Sequence, residues 1–213
     1  MRHVEVKNEV RLVPVLEIEP YHFSSLQSPH TGSATERSEY FQRCMTDAGF
    51  TNVSPIAEGW NFVGARSLIG NAILDRLIRE AVEGNDPREV SPLCGGLALI
   101  ADGNALISPS CCGDLSDLRS WTQLVVQRPR RGRIWIGHPD LSFVIHDDHV
   151  TLNEEWESTS RPDWLLEVTM PWELLTSAVA QARAEMELFR AELAPIITRV
   201  LGSAQITDAL IGL

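Results

Sequence analysis

Between Leu141 and Asn153 the chain alternates apolar and polar residues around two aspartates, and this constrains the fold more than any other stretch. With Asp147-Asp148 as a two-residue turn, Ile145 lies opposite Val150 and Phe143 opposite Leu152. Those four residues and Leu141 share one face. Ser142, Val144, His146, His149, Thr151 and Asn153 share the other. The register set by the turn agrees with the binary pattern, and a one-residue slip would invert both faces. An antiparallel hairpin with one buried face over about 141–153 follows, and it needs a covering layer.

A second hairpin is expected over about 97–108, because Asp102-Gly103 is a strong turn signal. That turn sets Ala101 against Asn104, Leu99 against Leu106 and Ala98 against Ile107. Both of its faces are apolar, which places it in mid-sheet with a layer on each side. Residues 3–19 alternate as a strand, with Val4, Val6, Val10 and Leu12 on one face. A phase change near Pro14 brings Val13 and Val15 onto the apolar side, as at a bulge or break. A turn at Lys7-Asn8-Glu9 is the competing arrangement.

The helices announce themselves by caps and period. Ser33 and Glu36 form a capping box ahead of a helix ending near Ala48, with Gly49 as its stop. A second helix is expected over about 63–83, with Leu68, Ile69, Ala72, Ile73, Leu77 and Val82 inward. Asp75–Arg79, Arg76–Glu80 and Arg79–Glu83 are its ion pairs. Asp114 caps a short helix reaching about Val126. Arg128-Pro-Arg-Arg-Gly-Arg133 is expected to be a loop that can hold phosphate or carboxylate groups. A long helix should start near an N-cap at Thr169. Its seam of Trp172, Leu175, Val179, Ala182, Met186, Phe189 and Leu193 keeps heptad spacing, with Ile196 and Val200 in phase and Pro195 as a stop or kink.

These elements specify an α+β fold: a mainly antiparallel sheet packed with four to five helices, the last of them long. Residues 1–213 read as a single domain, and Gly84, Pro87 and Pro92 mark a point near 85–92 where it could subdivide. At 44% hydrophobic and 22% charged, 213 residues can bury a core without staples.

The net charge of −11 argues against a nucleic-acid partner. No apolar run is long enough for a membrane span, and MRHVEVKNEV has no secretory apolar region. The four cysteines form no CxxC pair or disulfide framework, so a cytoplasmic location is expected. The phosphate-binding, dinucleotide-binding, zinc-protease and serine-hydrolase motifs are absent, and no cofactor is expected.

Three constellations carry chemistry. His146 and His149 are cross-strand neighbours in the second hairpin, where two imidazoles beside carboxylates can hold a divalent metal, His138 or Asp140 being the nearest third ligand. Cys112, in Cys111-Cys112-Gly113 ahead of a helix N-terminus, is the best nucleophile candidate, since amide donors and the helix dipole lower a thiol pKa. Cys94 with this pair and a histidine has poor metal spacing. From His138 to Val168 eight acids face Arg161 alone, which concentrates −7 of the net charge there.

Within that stretch, Asp147, Asp148, Glu154, Glu155, Trp156 and Glu157 form an acidic, aromatic surface suited to a basic protein partner. The leading expectation is therefore a bacterial-type protein-binding module, an immunity-type inhibitor of a cationic toxin or nuclease being one concrete form. The alternatives are a small hydrolase using Cys112 or a metal on His146 and His149, and a homodimeric structural protein joined through the helix at 172–193.

Overall fold

A computed structural model describes residues 2–28, 32–83, 90–154 and 165–212. Two compact units emerge, one made of Met1–Pro14 with Cys94–Glu187 and the other of Val15–Leu93 with Leu188–Leu213. The class is α+β, with a five-stranded and a four-stranded sheet, mostly antiparallel, and a long C-terminal helix.

The first unit carries the five-stranded sheet. Its strands are β1 (Arg2–Glu5), β6 (Arg131–Ile134), β7 (Leu141–His146), β8 (His149–Glu154) and β9 (Leu166–Pro171), in the order β1-β9-β8-β7-β6. The β7–β8 hairpin has the register its sequence specifies, with Ile145 opposite Val150, Phe143 opposite Leu152 and His146 opposite His149. One row crosses the whole sheet: Val4, Val168, Leu152, Phe143 and Gly132 are successive partners. Val168, Leu152 and Phe143 are buried along it. Gly132 leaves the room that Phe143 fills, since a Cβ there would stand 2.8 Å from the ring. The opposite face is polar, with Thr151 and Thr169 hydroxyls 3.0 Å apart and His3 3.0 Å from Glu167. The arginine run expected as a loop is instead partly the edge strand β6, because Arg131 and Arg133 alternate with Gly132 and Ile134 and the ladder to β7 accepts them.

The other hairpin joins β4 (Gly95–Ala101) to β5 (Asn104–Ile107), in a four-stranded sheet of order β3-β2-β4-β5. Here β2 is Val10–Glu17 and β3 is Phe62–Gly64. Ala101 pairs with Asn104 as expected, but Leu99 pairs with Ile107 and not Leu106. A bulge accommodates the extra residue. β4 is an inner strand buried on both faces, whereas β5 is an edge strand, exposed at Asn104 and half-buried at Ala105 and Leu106. The mid-sheet expectation thus holds for one strand of the pair.

The N-terminal segment divides at residues 6–9 and not at Pro14. β1 runs parallel to β9, and β2 belongs to the other sheet. Val10, Leu12, Pro14 and Leu16 stay buried in one phase, with Val15 buried as well. The break falls where the Lys7, Asn8 and Glu9 amides all donate to the Asp102 carboxylate, at 3.2, 3.2 and 3.0 Å.

A 3-10 turn at Leu115–Asp117, capped by Asp114, leads into α3 (Leu118–Gln127), where Trp121 is fully buried. The long helix α4 (Trp172–Leu201) starts two residues later than the Thr169 cap would place it, because Thr169 is held in β9 opposite Thr151 and Glu5. Leu175, Val179, Ala182, Met186, Phe189 and Leu193 are buried within the chain, and the helix continues through Pro195. Beyond Leu193 the buried positions are Ile197 and Val200, not Ile196. A straight helix drifts from a strict seven-residue repeat, which accounts for the shift.

In the second unit, α1 (Ala34–Asp47) has the full capping box of Ser33 and Glu36 and buries Tyr40, Phe41, Cys44 and Met45. The helix expected over 63–83 is shorter. Residues 62–64 form β3 antiparallel to β2, a 3-10 turn follows at Ala65–Leu68, and α2 runs Ala72–Val82 from an Asn71 cap. Gly70 at φ 79° and the Asn71 side chain on the Ile73 amide reset the chain there. Of the expected ion pairs, Arg76–Glu80 is present at 2.7 Å, while Asp75 takes a bidentate grip from Arg199. Arg66–Glu192 and Arg190–Asp208 are two further two-point pairs. α5 (Thr207–Leu210) closes the chain with Leu210 and Ile211 buried. Among the described residues no helix is long and apolar enough to cross a membrane.

Candidate functional site

The tip of β7–β8 is tied down by its carbonyls. The Trp172 amide donates to the Asp148 carbonyl at 2.7 Å, and Arg128 Nη2 donates to the Asp147 carbonyl at 2.5 Å. Arg128 itself lies over the Trp172 ring, 5.0 Å from its centroid. Both aspartates remain exposed, the Asp148 side chain at 84%. His149 Nδ1 stands 2.7 Å from Asp148 Oδ1, and this hydrogen bond holds the Asp148 carboxyl below its ordinary range. The site is thus a rigid turn that presents carboxylates.

His146 and His149 are the cross-strand pair that the register demands. Among the described residues no group of three or more His, Cys, Asp or Glu side chains is arranged to hold a metal ion. Glu154 turns back into the fold, where its Oε2 accepts the Leu166 amide at 2.9 Å. Glu155, Trp156 and Glu157 lie outside the described residues.

An aromatic that the sequence reading passed over stands at the end of β6. Trp135 is 38% exposed and meets the His138 ring edge-on, centroids 4.8 Å apart. Val144, at 37%, is the exposed apolar residue of β7 and pairs with Arg131. Arg133 reaches Asp140 at 3.9 Å. Acidic tip, arginine edge and exposed apolar side chains therefore belong to one sheet. The signal for Trp135 was its place directly after the Arg131–Ile134 alternation, which reading the segment as a loop concealed.

The cysteine loop is a separate structure. Cys111 forms an isolated bridge with His138, the His138 amide donating to the Cys111 carbonyl at 3.0 Å. Cys94 bridges Asp114. Topology thus brings His138 beside Cys111 and Cys94 beside Asp114, residues that are dispersed in sequence. The expected lowering of the Cys112 pKa is corrected: the thiol is pushed up, first by the charge of Cys111 and then by its hydrogen bond.

Behind this loop lies Asp117, only 3% exposed, with Oδ2 lacking a hydrogen-bond partner. Two glycines make room for it. A Cβ on Gly113 would stand 3.1 Å from Oδ2 and 2.8 Å from the Gly95 carbonyl, and one on Gly96 would stand 3.2 Å from Oδ2. Burial, with the Asp114 charge second, pushes the Asp117 carboxyl up to about 7. In the second unit burial likewise raises Glu17, beside Glu19. No sequence motif marks either carboxyl, because both effects arise from tertiary burial.

No protein-family model, curated protein or solved structure matches this chain.

Proposed function

We propose that this chain is a protein-binding module that engages a basic protein partner through the β7–β8 tip. The observation that carries the reading is the tethering of the tip: both turn carbonyls are hydrogen-bonded inside the unit while Asp147 and Asp148 face solvent. A preorganised turn loses little entropy on binding, and paired carboxylates steer a cationic partner toward it. Trp135 and Val144 supply apolar contact on the same sheet. An inhibitor of a cationic toxin or nuclease is one concrete form of this function, since such a partner offers the required positive surface.

The test compares the wild type with Asp147→Lys/Asp148→Lys as bait at low salt. The turn carbonyls that anchor the tip are backbone groups, so the variant keeps its fold, checked by circular dichroism. The expected result is one basic protein retained by the wild type, released as salt rises and lost with the variant. Equal retention by both baits, or binding indifferent to salt, overturns the proposal.

A further inference from the structure

We propose that Asp117 is a proton-operated latch: its protonated carboxyl ties the loop of residues 110–113 to the start of β4, and loss of that proton releases the loop. Asp117 is buried at the end of the 3-10 turn, and its Oδ2 has no hydrogen-bond partner. What surrounds that oxygen explains why. A Cβ built on Gly113 would stand 3.1 Å from Asp117 Oδ2, 2.8 Å from the Gly95 carbonyl oxygen and 3.0 Å from the Ile136 carbonyl oxygen. Three oxygens thus converge on one point beside Gly113. On the β4 side the neighbours are Gly96 and the Pro109 ring, which offer carbon alone. Carbonyl oxygens only accept, so an ionised Oδ2 adds one more acceptor to a place that lacks a donor. A protonated Oδ2 supplies that donor, and each carbonyl has two lone pairs to receive it.

The loop is pinned by the same groups that face Asp117. The Ser110 amide donates to the Ile136 carbonyl at 2.7 Å, and the Gly95 amide donates to the Gly113 carbonyl at 3.0 Å. The His138 amide donates to the Cys111 carbonyl at 3.0 Å. A negative charge on Oδ2 therefore bears on the contacts that close the loop. Titratable groups on the packed elements are Asp114 on the same turn, Cys111 and Cys112 in the loop, His138 and Asp140 beyond Ile136, and Arg119 at the start of α3; β4 from Gly95 to Ala101 carries none. Burial is the main obstacle to ionising Asp117, and the Asp114 charge adds to it. A hydrogen bond from the Asp114 backbone opposes both and is the weakest of the three.

The direction of the response follows from linkage. Closed, the latch keeps its proton up to about pH 7; open, the carboxyl is solvated and titrates near 3.8. Opening therefore releases one proton between those two values, and the opening constant should rise about tenfold per pH unit across that window. It levels off above it, and below pH 3.8 the loop is held most tightly. The latch is independent of the β7–β8 tip, so its test needs no partner.

The experiment is amide hydrogen exchange on the full chain, followed by NMR across the pH range, with each rate divided by its intrinsic value. Protection at Ser110, Gly95 and His138 should fall about tenfold per pH unit up to about 7 and then stay level. These amides should exchange faster than that of Leu152 in β8 and be insensitive to low urea, the mark of a local opening. The Asp117 carboxyl carbon should titrate near 7 and not near 3.8. Asp117→Asn keeps a donor without a charge, so its protection should not vary with pH. Asp117→Ala has no donor, and its loop should be poorly protected at every pH. Protection in the wild type that is flat with pH, or an equal slope in Asp117→Asn, overturns the proposal. So does exchange of the three amides only together with Leu152, which would assign the effect to unfolding of the whole chain. If the variants do not fold, the wild-type slope and the carboxyl resonance decide.

Discussion

Hairpin β4–β5 turns at Asp102 and commits that carboxylate to three backbone amides of residues 7–9, whereas hairpin β7–β8 turns at Asp147-Asp148 and leaves both aspartates exposed. The two also differ in how firmly their strands are set. In β7–β8 the inner residues Phe143, Val150 and Leu152 alternate with Ser142, Val144 and Thr151, so only one register buries the apolar set. In β4 both faces are buried and every residue from Gly95 to Ala101 is Gly or aliphatic, so polarity does not oppose a slip. The bulge at Leu99/Ile100 occurs where that opposition is missing. A turn dictates pairing only as far as side-chain alternation enforces it.

Deleting one residue from each hairpin tests this directly. Without Thr151, Leu152 moves to the polar face and Asn153 to the apolar one. Exposing the leucine and burying an unpaired amide cost about 4 kcal/mol or more together, enough to unfold a marginal domain. Without Leu106, Ile107 follows Ala105 directly, and the pairs Ile100–Ala105 and Leu99–Ile107 become a regular ladder. The expected loss is roughly 1 kcal/mol for a half-buried leucine. Urea unfolding of both deletions measures the contrast, and similar midpoints would show that the bulge is as constrained as the regular hairpin.

The second test concerns Asp117, packed against Gly96 near the start of β4. Its carboxyl is raised from 3.8 to about 7, so the folded state binds its proton more tightly than the unfolded chain. Stability from this group is present in full below pH 3.8 and is lost as pH rises through about 7. The full shift corresponds to on the order of 4 kcal/mol. Asp117→Asn, with no charge to bury, should flatten the fall in stability between pH 3.8 and about 7, as read by thermal unfolding across that window. An unchanged slope would mean that Asp117 ionises in the folded protein without cost.

The same contrast explains which parts of the molecule were legible in advance. The Ser33–Glu36 capping box and the β7–β8 register rest on local geometry and repeated spacing and are present as read, and the α4 seam is buried from Leu175 to Leu193, with Trp172 only half-buried. Where a local signal competed with a sheet, the sheet prevailed. Thr169 resembles a helix cap but pairs with Thr151, Val63 and Gly64 look helical but join β2, and the arginine run borders β7. At the candidate site the exposed aspartates of the tip were visible from the turn alone. Trp135, Asp117 and the meeting of Cys111 with His138 depend on which strands become neighbours, and nothing local encodes that.

The smallest expected effects separate the two tips. Asp102 gathers the Lys7, Asn8 and Glu9 amides, and these hydrogen bonds, the Lys7 and Glu9 amides foremost, hold its carboxyl below the ordinary 3.8. Its contribution is therefore present above that value and is lost as pH falls through the lowered pKa. Asp102→Ala should lower the thermal midpoint at neutral pH and remove part of the acid sensitivity below pH 4, because three backbone donors lose their acceptor. Asp148→Ala removes a carboxylate hydrogen-bonded to the adjacent His149, while the backbone anchors to Trp172 and Arg128 remain. Its midpoint should match the wild type, with the loss confined to partner binding. Measured side by side by calorimetry at neutral pH, the two substitutions ask whether one turn serves the fold and the other the surface. A midpoint drop in Asp148→Ala as large as in Asp102→Ala would make the exposed tip a structural clamp and remove the reason for proposing it as a binding element.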